Sequence, residues 1–392
     1  MKILFVNIAV TLYAPHRAAI LDEFKSRKEC VSVFECLNFT PLSLKDSLNA
    51  EIEKQQPDFI AVDPWVLLEG RRDQAFLKHN LVEEKHFVEK CEAVLSALSE
   101  HHDAAKLIFG GWLDVHSLTY NETNTLIDWI ENHKTYLWGL CEGDYFSFDD
   151  YPKPNQLRIQ TNHYKDLICT DHNLSKRIVP YLHSVPEALF VNTSYDQITN
   201  QYEFDFHVPG SSSQMSYPSR HEMIQRHSRL FKPNQTMLMT LCNSINSSFT
   251  ANPNKSAIAM SNYLYFDLIK KSKLCFVDGG RMEYVVTKYL EVPALGSLLI
   301  SPKLHSMRRY GLLAGEHFYD VEEVDLEDLE NLTIIERKKI FEQSRKLIWD
   351  KHCTSKRINQ LMLMLNKIAN GQNIKANYSN GDLFIDDIVV EA

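Results

Sequence analysis

The sequence predicts an α/β protein made of two Rossmann-like domains. Short apolar runs, typical of buried parallel strands, alternate with segments that have helical spacing. The same order begins again near residue 200, after a polar stretch rich in Pro and Asn. The 392 residues are enough for two ordinary domains or one large domain. We therefore expect one domain over 1–192, a second over 193–370, and a tail over 371–392 that packs back on the body.

The first half opens with an apolar run at 2–6 and a helical pattern at 18–25. This order of strand, loop and helix is typical of the start of a doubly wound domain. Further predicted elements of this half are strands at 31–37, 59–62, 107–111, 168–171 and 188–191, and helices at 42–54 and 82–98. Such alternation indicates βαβ units with parallel strands.

The second half repeats the pattern from a strand at 204–208. A loop of small residues follows at 209–216, and then a helix at 220–231, with Ser216 as its N-cap and Pro218 early in its first turn. The remaining predicted elements are strands at 237–241, 273–277 and 297–300, and helices at 334–348 and 357–368. The apolar run at 383–390 is the part of the tail expected to contact the body.

Composition excludes several classes of protein. The net charge of −9 argues against a general nucleic-acid binder, which would show a basic face. The eight cysteines form no C-x-x-C pair and no zinc-finger spacing, so we expect reduced core thiols and a reducing compartment. Apolar runs all fall short of the roughly 18 residues that a membrane span needs. The expected location is cytoplasmic, with the alternative of a peripheral position at the membrane.

The segment 283–300 carries the strongest chemical signal. Glu283 and Glu291 lie eight positions apart, a little over two helical turns, so we expect both carboxylates on one side of the segment. Before them, the run 278–281 contains Gly280 and Arg281 and offers backbone N–H donors. Phosphate sites combine such donors with carboxylates that bind sugar hydroxyls.

The loop 209–216 predicts a second phosphate contact. Gly210 and its small neighbours allow backbone amides to approach an anion, and the helix that follows contributes a partial positive charge. Arg220 falls in the first turn of that helix, where a cation is unfavourable unless an anion is present. The alternative is a flexible surface loop with a solvated arginine.

Cations also flank the first glutamate. Lys288 or Arg281 would lie on a donor diphosphate and offset the charge that develops on a leaving group. The alternative is an ordinary cluster of salt bridges. This cation would do the work of a metal ion, and no D-x-D element or helical histidine pair with a third ligand appears, so we expect no metal.

Candidate acceptor-side residues follow the predicted strands of the first half. Ligands gather at the carboxyl ends of parallel strands. A tryptophan there could stack on a sugar ring, and an acidic residue or a histidine could act as a base or bind the acceptor. Taken singly, residues of these types are more often structural or exposed on the surface. The candidates are His16, Arg17, Asp63, Trp112 and Asp144.

The paired glutamates resemble the E-x7-E signature of retaining GT-B glycosyltransferases. The resemblance implies that Glu283 lies near the transferred sugar and that Glu291 accepts hydrogen bonds from the nucleotide ribose. The sequence 284–286 is Tyr-Val-Val, where the family usually has Gly-Phe-Gly. The GT-B layout implies two Rossmann-like domains facing a cleft.

A looser resemblance covers about residues 200–368 and points to the group 1 glycosyltransferases that include spore-maturation CgeB-like proteins. The segments 205–210 and 217–220 resemble the opening "D-x-x-F-x-G … Y-x-x-R" of that group, and 352–357 resembles its "H-T-x-x-x-R". The segment 288–291 resembles "R-x-F-E", with Lys288 in place of the arginine. A lysine keeps the charge but loses the bidentate fork.

These resemblances imply a glycosyltransferase that moves a sugar from a nucleotide-sugar donor to a glycan, a lipid-linked or a small acceptor. The E-x7-E resemblance implies retention of configuration, with the leaving phosphate helping to take the acceptor proton. No cofactor beyond the donor and no nucleic-acid partner is expected. Two alternatives remain: a nucleotide-sugar epimerase of similar architecture, and a catalytically inactive GT-B-like structural or assembly protein.

Overall fold

The computed structural model describes residues 1–8, 15–68, 84–109, 120–140, 176–190, 194–210, 217–248, 255–280, 284–324 and 333–387. The chain divides into two compact units. Unit 1 comprises Met1–Leu182, Ile358–Asn377 and Leu383–Ala392, and unit 2 comprises His183–Arg357 and Tyr378–Asp382. Among the described residues, every helix is too short or too polar to serve as a membrane span.

Unit 1 is built on a six-stranded sheet in which all neighbouring strands are parallel. Its order is β2-β1-β3-β4-β5-β6. The strands are β1 (Ile3–Asn7), β2 (Val31–Glu35), β3 (Phe59–Val62), β4 (Ala105–Phe109), β5 (Thr135–Leu140) and β6 (Ile178–Tyr181). The helices are α1 (Pro15–Ser26), α2 (Pro41–Gln55), α3 (Glu84–Glu100) and α4 (Tyr120–Asn132).

Aromatic rings fill the core on one face of this sheet. Phe5 of β1 meets Phe24 of α1 and Phe109 of β4 with ring centroids 5.7 and 5.1 Å apart. Phe109 in turn meets Trp138 of β5 edge to face at 5.2 Å. Because every residue of β1 is buried, its run of apolar residues has no solvent-facing side, as parallel strands require.

Unit 2 contains a four-stranded parallel sheet of order β10-β9-β8-β7. Its strands are β7 (Phe204–His207), β8 (Ser272–Phe276), β9 (Leu298–Ser301) and β10 (Tyr319–Asp320). The later helices of the chain are α5 (Tyr195–Thr199), α6 (Pro218–Arg226), α7 (Pro233–Ser248), α8 (Lys255–Lys270), α9 (Lys288–Ala294), α10 (Met307–Tyr310), α11 (Ile334–Lys351) and α12 (Thr354–Ala369). Strands β11 (Ile374–Ser379) and β12 (Asp382–Asp387) form a separate two-stranded sheet.

Several predicted elements differ from the structure. Residues 237–241, predicted as a strand, lie in helix α7. The prediction failed because a largely apolar run of five residues is too short for its periodicity to distinguish a strand from a helix. The predicted strand at 188–191 begins in a 3₁₀ turn, Glu187–Leu189, and the strand of this region is β6. Strand β5 was not predicted, and 168–171 lies outside the described residues.

The domain limits also differ from the prediction. The chain passes from unit 1 to unit 2 at residue 182 rather than 192. Most of α12 belongs to unit 1, although 358–370 was assigned to the second domain. Ile358, Leu361 and Leu365 are fully buried in the aromatic core of unit 1, because they cover the face of the sheet. Ile374, in the tail, is buried in the same core.

Candidate functional site

A group of polar side chains lies at one edge of the sheet in unit 2. Because β7, β8 and β9 are parallel, their carboxyl ends share that edge. Gly210 follows β7, and Asp278 follows β8. Helices α6 and α9 contribute Arg220, Lys288 and Glu291. We call these five residues the edge cluster.

Gly210 allows the backbone to pass directly against two cations. Its φ of +88° is the left-handed region that favours glycine. A Cβ at this position would lie 2.5 Å from Lys288 Cε and 3.2 Å from its Nζ. The same point is 3.6 Å from Arg220 Nη1. The loop thus needs glycine for its conformation and for the space that Lys288 occupies.

Arg220 is fully buried, and its guanidinium contacts both Asp278 and Tyr217. Its Nε lies 2.6 Å from Asp278 Oδ1, and its Nη2 donates to the Asp278 carbonyl oxygen at 2.8 Å. The ring of Tyr217 covers the guanidinium at 3.9 Å from Cζ to the ring centroid. Such a buried charge requires compensation, and Asp278 and the aromatic face supply it. The predicted N-cap residue Ser216 lies outside the described residues, and α6 begins at Pro218 with Tyr217 as its cap.

Lys288 is the first residue of α9 and is only partly exposed. Burial lowers the pKa of its ammonium group, and the Arg220 guanidinium lowers it further, whereas Glu291 and Asp278 raise it. Two cations therefore lie beside one another with two carboxylates around them. An added anion at Gly210 would relieve the repulsion between Lys288 and Arg220.

Glu291 is 4% exposed and accepts a hydrogen bond from the Tyr265 hydroxyl, with Oη 2.5 Å from Oε2. Tyr265 belongs to α8. Burial raises the pKa of this phenol well above its ordinary value, and the Glu291 carboxylate raises it further. The phenol therefore stays protonated and remains a donor at neutral pH.

The helical spacing predicted for the two glutamates is wrong. Tyr284–Val286 has no regular structure, and α9 begins only at Lys288. Eight positions therefore do not correspond to two turns of one helix. Glu283 and Arg281 themselves lie outside the described residues. Gly280 is described, with a φ of +62°, and follows Asp278 by two residues.

On the acceptor side, two of the predicted residues are bound to each other. Arg17 donates to Asp63 through Nε at 3.0 Å and through Nη2 at 2.5 Å, and the two side chains are 3% and 0% exposed. Arg17 Nη2 also donates to Asn7 Oδ1 at 2.9 Å. This buried, bidentate pair ties α1 to the ends of β1 and β3, which is a structural arrangement.

Of the other acceptor-side candidates, only His16 lies among the described residues. His16 lies in the first turn of α1 and is partly exposed. Trp112 and Asp144 lie outside the described residues. Within the described part of the chain, no group of three His, Cys, Asp or Glu side chains is arranged to hold a metal ion. The prediction of a metal-independent protein stays a prediction.

One member of the edge cluster, Asp278, and two tyrosines that contact the cluster, Tyr217 and Tyr265, were missed from the sequence. Asp278 was noted only as part of a loop, and neither Tyr217 nor Tyr265 was assigned a role. Asp278 could have been found, since it immediately follows a predicted strand beside two glycines. Nothing in the sequence connects Tyr265 to Glu291, because 26 residues separate them and the contact is tertiary.

Comparisons with known proteins agree with the two-unit architecture. No known family model matches the chain, and no curated protein matches it. Among solved structures, it is similar to HepE from Anabaena in complex with UDP, with 11% identity and a TM-score of 0.52 over 94% of this chain and 100% of that chain. The same coverage holds for sucrose-phosphate synthase from Thermosynechococcus elongatus, with 9% identity and a TM-score of 0.51. The chain has a two-domain, Rossmann-like GT-B fold.

Proposed function

We propose that this protein is a glycosyltransferase that moves a sugar from a nucleotide-sugar donor to a glycan, a lipid-linked or a small acceptor. Retention of configuration and independence of a metal ion belong to the proposal, as does membership of the CgeB-like group. The observation that carries it is the edge cluster. There, a glycine backbone, two cations and a buried carboxylate meet at the carboxyl edge of a parallel sheet.

The chemistry of the edge cluster suits a nucleoside diphosphate. Lys288 and the backbone at Gly210 would bind phosphate oxygens, and Arg220, held by Asp278, would add a fixed positive charge. Glu291 would accept hydrogen bonds from the ribose. A lysine on the diphosphate would stabilise the leaving group, which is the role that a metal ion has in other transferases.

Solved structures with a similar fold also support the proposed function. The similar HepE structures contain UDP and glucose, so a protein of this fold accommodates a nucleotide and a sugar. In this chain the "H-T-x-x-x-R" resemblance also has a physical basis. Arg357 Nη2 lies 2.5 Å from His352 Nδ1, and the two ends of the pattern therefore meet in a buried contact.

Nucleotide binding tests the proposal most directly. A protein that binds a nucleotide is stabilised by mass action, so we expect the melting temperature to rise with at least one of UDP, GDP, CMP and dTDP. Calorimetry on that nucleotide then compares the wild type with Lys288→Ala and Glu291→Ala. Each variant should bind about tenfold or more weakly, since hydrogen bonds to charged groups contribute about 1.5–3 kcal/mol.

The matched control is Lys346→Ala, which removes an exposed lysine from α11 with a side chain that is 77% exposed. Its affinity should equal that of the wild type. Unchanged affinity in both Lys288→Ala and Glu291→Ala would refute the assignment of the edge cluster. A Lys288→Ala protein that only loses stability would return Lys288 to a salt-bridge role.

Product analysis separates the enzyme alternatives. A glycosyltransferase consumes an acceptor and releases the free nucleotide, whereas an epimerase releases an isomerised donor and needs no acceptor. An assembly protein without turnover would show no nucleotide-dependent stabilisation. Retention is tested by the anomeric configuration of the product, and metal independence by activity that survives EDTA.

A further inference from the structure

Tyr265 lies outside the segments that carry the edge cluster, yet it contacts the central carboxylate. It belongs to α8, whereas Glu291 belongs to α9. Its hydroxyl donates to Glu291 Oε2 at 2.5 Å, the short distance of a hydrogen bond to a charged acceptor. The bond is long-range, across 26 residues of sequence.

The Glu291 carboxylate needs a partner that fixes its orientation if it is to accept hydrogen bonds from particular hydroxyls of a ligand. The last torsion of a glutamate side chain is broad and is weakly fixed by rotamer preferences. A buried carboxylate also requires hydrogen-bond donors to compensate for lost hydration, and Glu291 is 4% exposed. A carboxylate has about four lone-pair positions, so a hydrogen bond from Tyr265 does not by itself exhaust its capacity to accept hydroxyl donors.

Tyr265 is the hydrogen-bond donor in its pair with Glu291. Tyr265 keeps its proton because burial and the neighbouring carboxylate both oppose its ionisation. At neutral pH the hydrogen bond therefore runs from the Tyr265 hydroxyl to the Glu291 carboxylate. The carboxylate is the acceptor in this bond.

We propose that Tyr265 is a positioning residue that sets the Glu291 carboxylate for the ribose hydroxyls of the bound nucleotide. The proposal rests on the proposed function, since it concerns the same nucleotide. Tyr265 acts through Glu291 and does not itself contact the reacting atoms. Its loss should reduce the preference for a ribose with hydroxyls more than it reduces binding of the phosphates.

The test compares ribonucleotides with their 2′,3′-dideoxy analogues by calorimetry. The probes are UDP, GDP and CMP, each paired with its dideoxy form. In the wild type we expect the ribonucleotide to bind about tenfold or more tightly than its analogue, because hydrogen bonds to a charged carboxylate are lost with the hydroxyls. In Tyr265→Phe the preference should fall to about threefold or less, while the dideoxy analogue binds as it does to the wild type.

The matched control is Tyr263→Phe, which removes a phenol hydroxyl from the same helix at a position that is 64% exposed. It should keep the wild-type preference, and Glu291→Gln should abolish it. Tyr265→Phe retains the ring, so its packing beside Phe266 is preserved. If it fails to fold, Tyr265→Met removes the donor with a flexible apolar side chain and takes its place.

The outcomes are distinct. A full wild-type preference in folded Tyr265→Phe overturns the inference and leaves nucleotide binding intact. Equal affinity of the wild type for a ribonucleotide and its dideoxy analogue also overturns the inference, because the carboxylate then accepts no hydrogen bond from the ribose hydroxyls. A wild type that binds none of the three ribonucleotides overturns this inference, and one that also fails to bind dTDP overturns the proposed function.

Discussion

At the scale of single residues, the edge cluster depends on one glycine. Gly210 combines a left-handed backbone with a contact to Lys288 that no side chain could share. Its neighbour in the contact is the far end of a flexible side chain, so the steric conflict of a larger residue would be resolved by moving Lys288. The two effects, on backbone strain and on the position of Lys288, can therefore be separated.

Gly210→Ala should lower the free energy of unfolding by about 1–2 kcal/mol, because a left-handed conformation is unfavourable for alanine. It should also weaken nucleotide binding about as much as Lys288→Ala does, since the new methyl group displaces the lysine. Urea unfolding and calorimetry measure the two effects.

Gly315→Ala is the control for this prediction. Gly315 also has a positive φ, +76°, but nothing lies within 4 Å of the position of its Cβ. We expect a similar loss of stability without any loss of nucleotide affinity. Nucleotide affinity retained by Gly210→Ala would show that the contact with Lys288 has no part in binding.

At the scale of elements, α9 carries two residues of the edge cluster although it is short. Its carboxyl end is held from another helix, since Arg345 of α11 donates to the carbonyl oxygens of Ala294 at 2.8 Å and of Pro293 at 3.4 Å. The chain then turns at Gly296, where φ is +98° and a Cβ would lie 1.9 Å from Ile198 Cδ1. A cation on the last carbonyls of a helix satisfies acceptors that lack partners within the helix.

Arg345→Met should therefore destabilise the protein by about 1.5–3 kcal/mol, the range for hydrogen bonds to a charged group. Methionine preserves much of the packing on the ring of Phe341, 5.1 Å from the guanidinium. Urea unfolding followed by circular dichroism measures the loss. The control is Lys346→Met, which breaks only an exposed i,i+4 pair with Asp350 and should change stability by less than about 0.5 kcal/mol. Equal losses in the two variants would contradict the capping role of Arg345.

At the scale of the whole molecule, unit 1 is assembled from both ends of the chain. The buried face of α12 joins a core that begins with Ile3 and Phe5, more than 350 residues earlier in the sequence. Strand β12 packs Leu383 and Ile385 against the same core, and β11 contributes the buried Ile374. The C-terminal segment is therefore part of the first folding unit, and a chain that ended before residue 358 would leave this face of the sheet uncovered.

Leu365→Ala should destabilise the protein by about 2–5 kcal/mol, because the side chain is fully buried in the core of unit 1. Leu363→Ala removes the same atoms from the same helix at a position that is 51% exposed, and it should have little effect. Urea unfolding followed by tryptophan fluorescence, which includes the buried Trp138 of this core, compares the two. A loss below about 1 kcal/mol for Leu365→Ala would contradict the assignment of α12 to unit 1.

Prediction from the sequence succeeded where local pattern decides structure. The strands near 2–6, 31–37, 59–62 and 204–208 were recognised because buried parallel strands are short, apolar and bounded by turns. It failed at 237–241, where a short apolar run in a helix has the same appearance. Asp63 was correctly placed directly after a strand, but its ion pair with Arg17 of α1 could not be foreseen.

The sequence by itself determined the α/β class, the parallel strands and the residue types at their carboxyl ends, since these follow from periodicity and from glycines at turns. Tertiary structure alone decided which polar groups are partners. It brought Tyr265 to Glu291, Asp278 to Arg220 and the C-terminal helix to the first sheet. The reason is physical: hydrogen bonds and core contacts between residues distant in sequence depend on how helices pack on sheets, and local patterns contain no record of that packing.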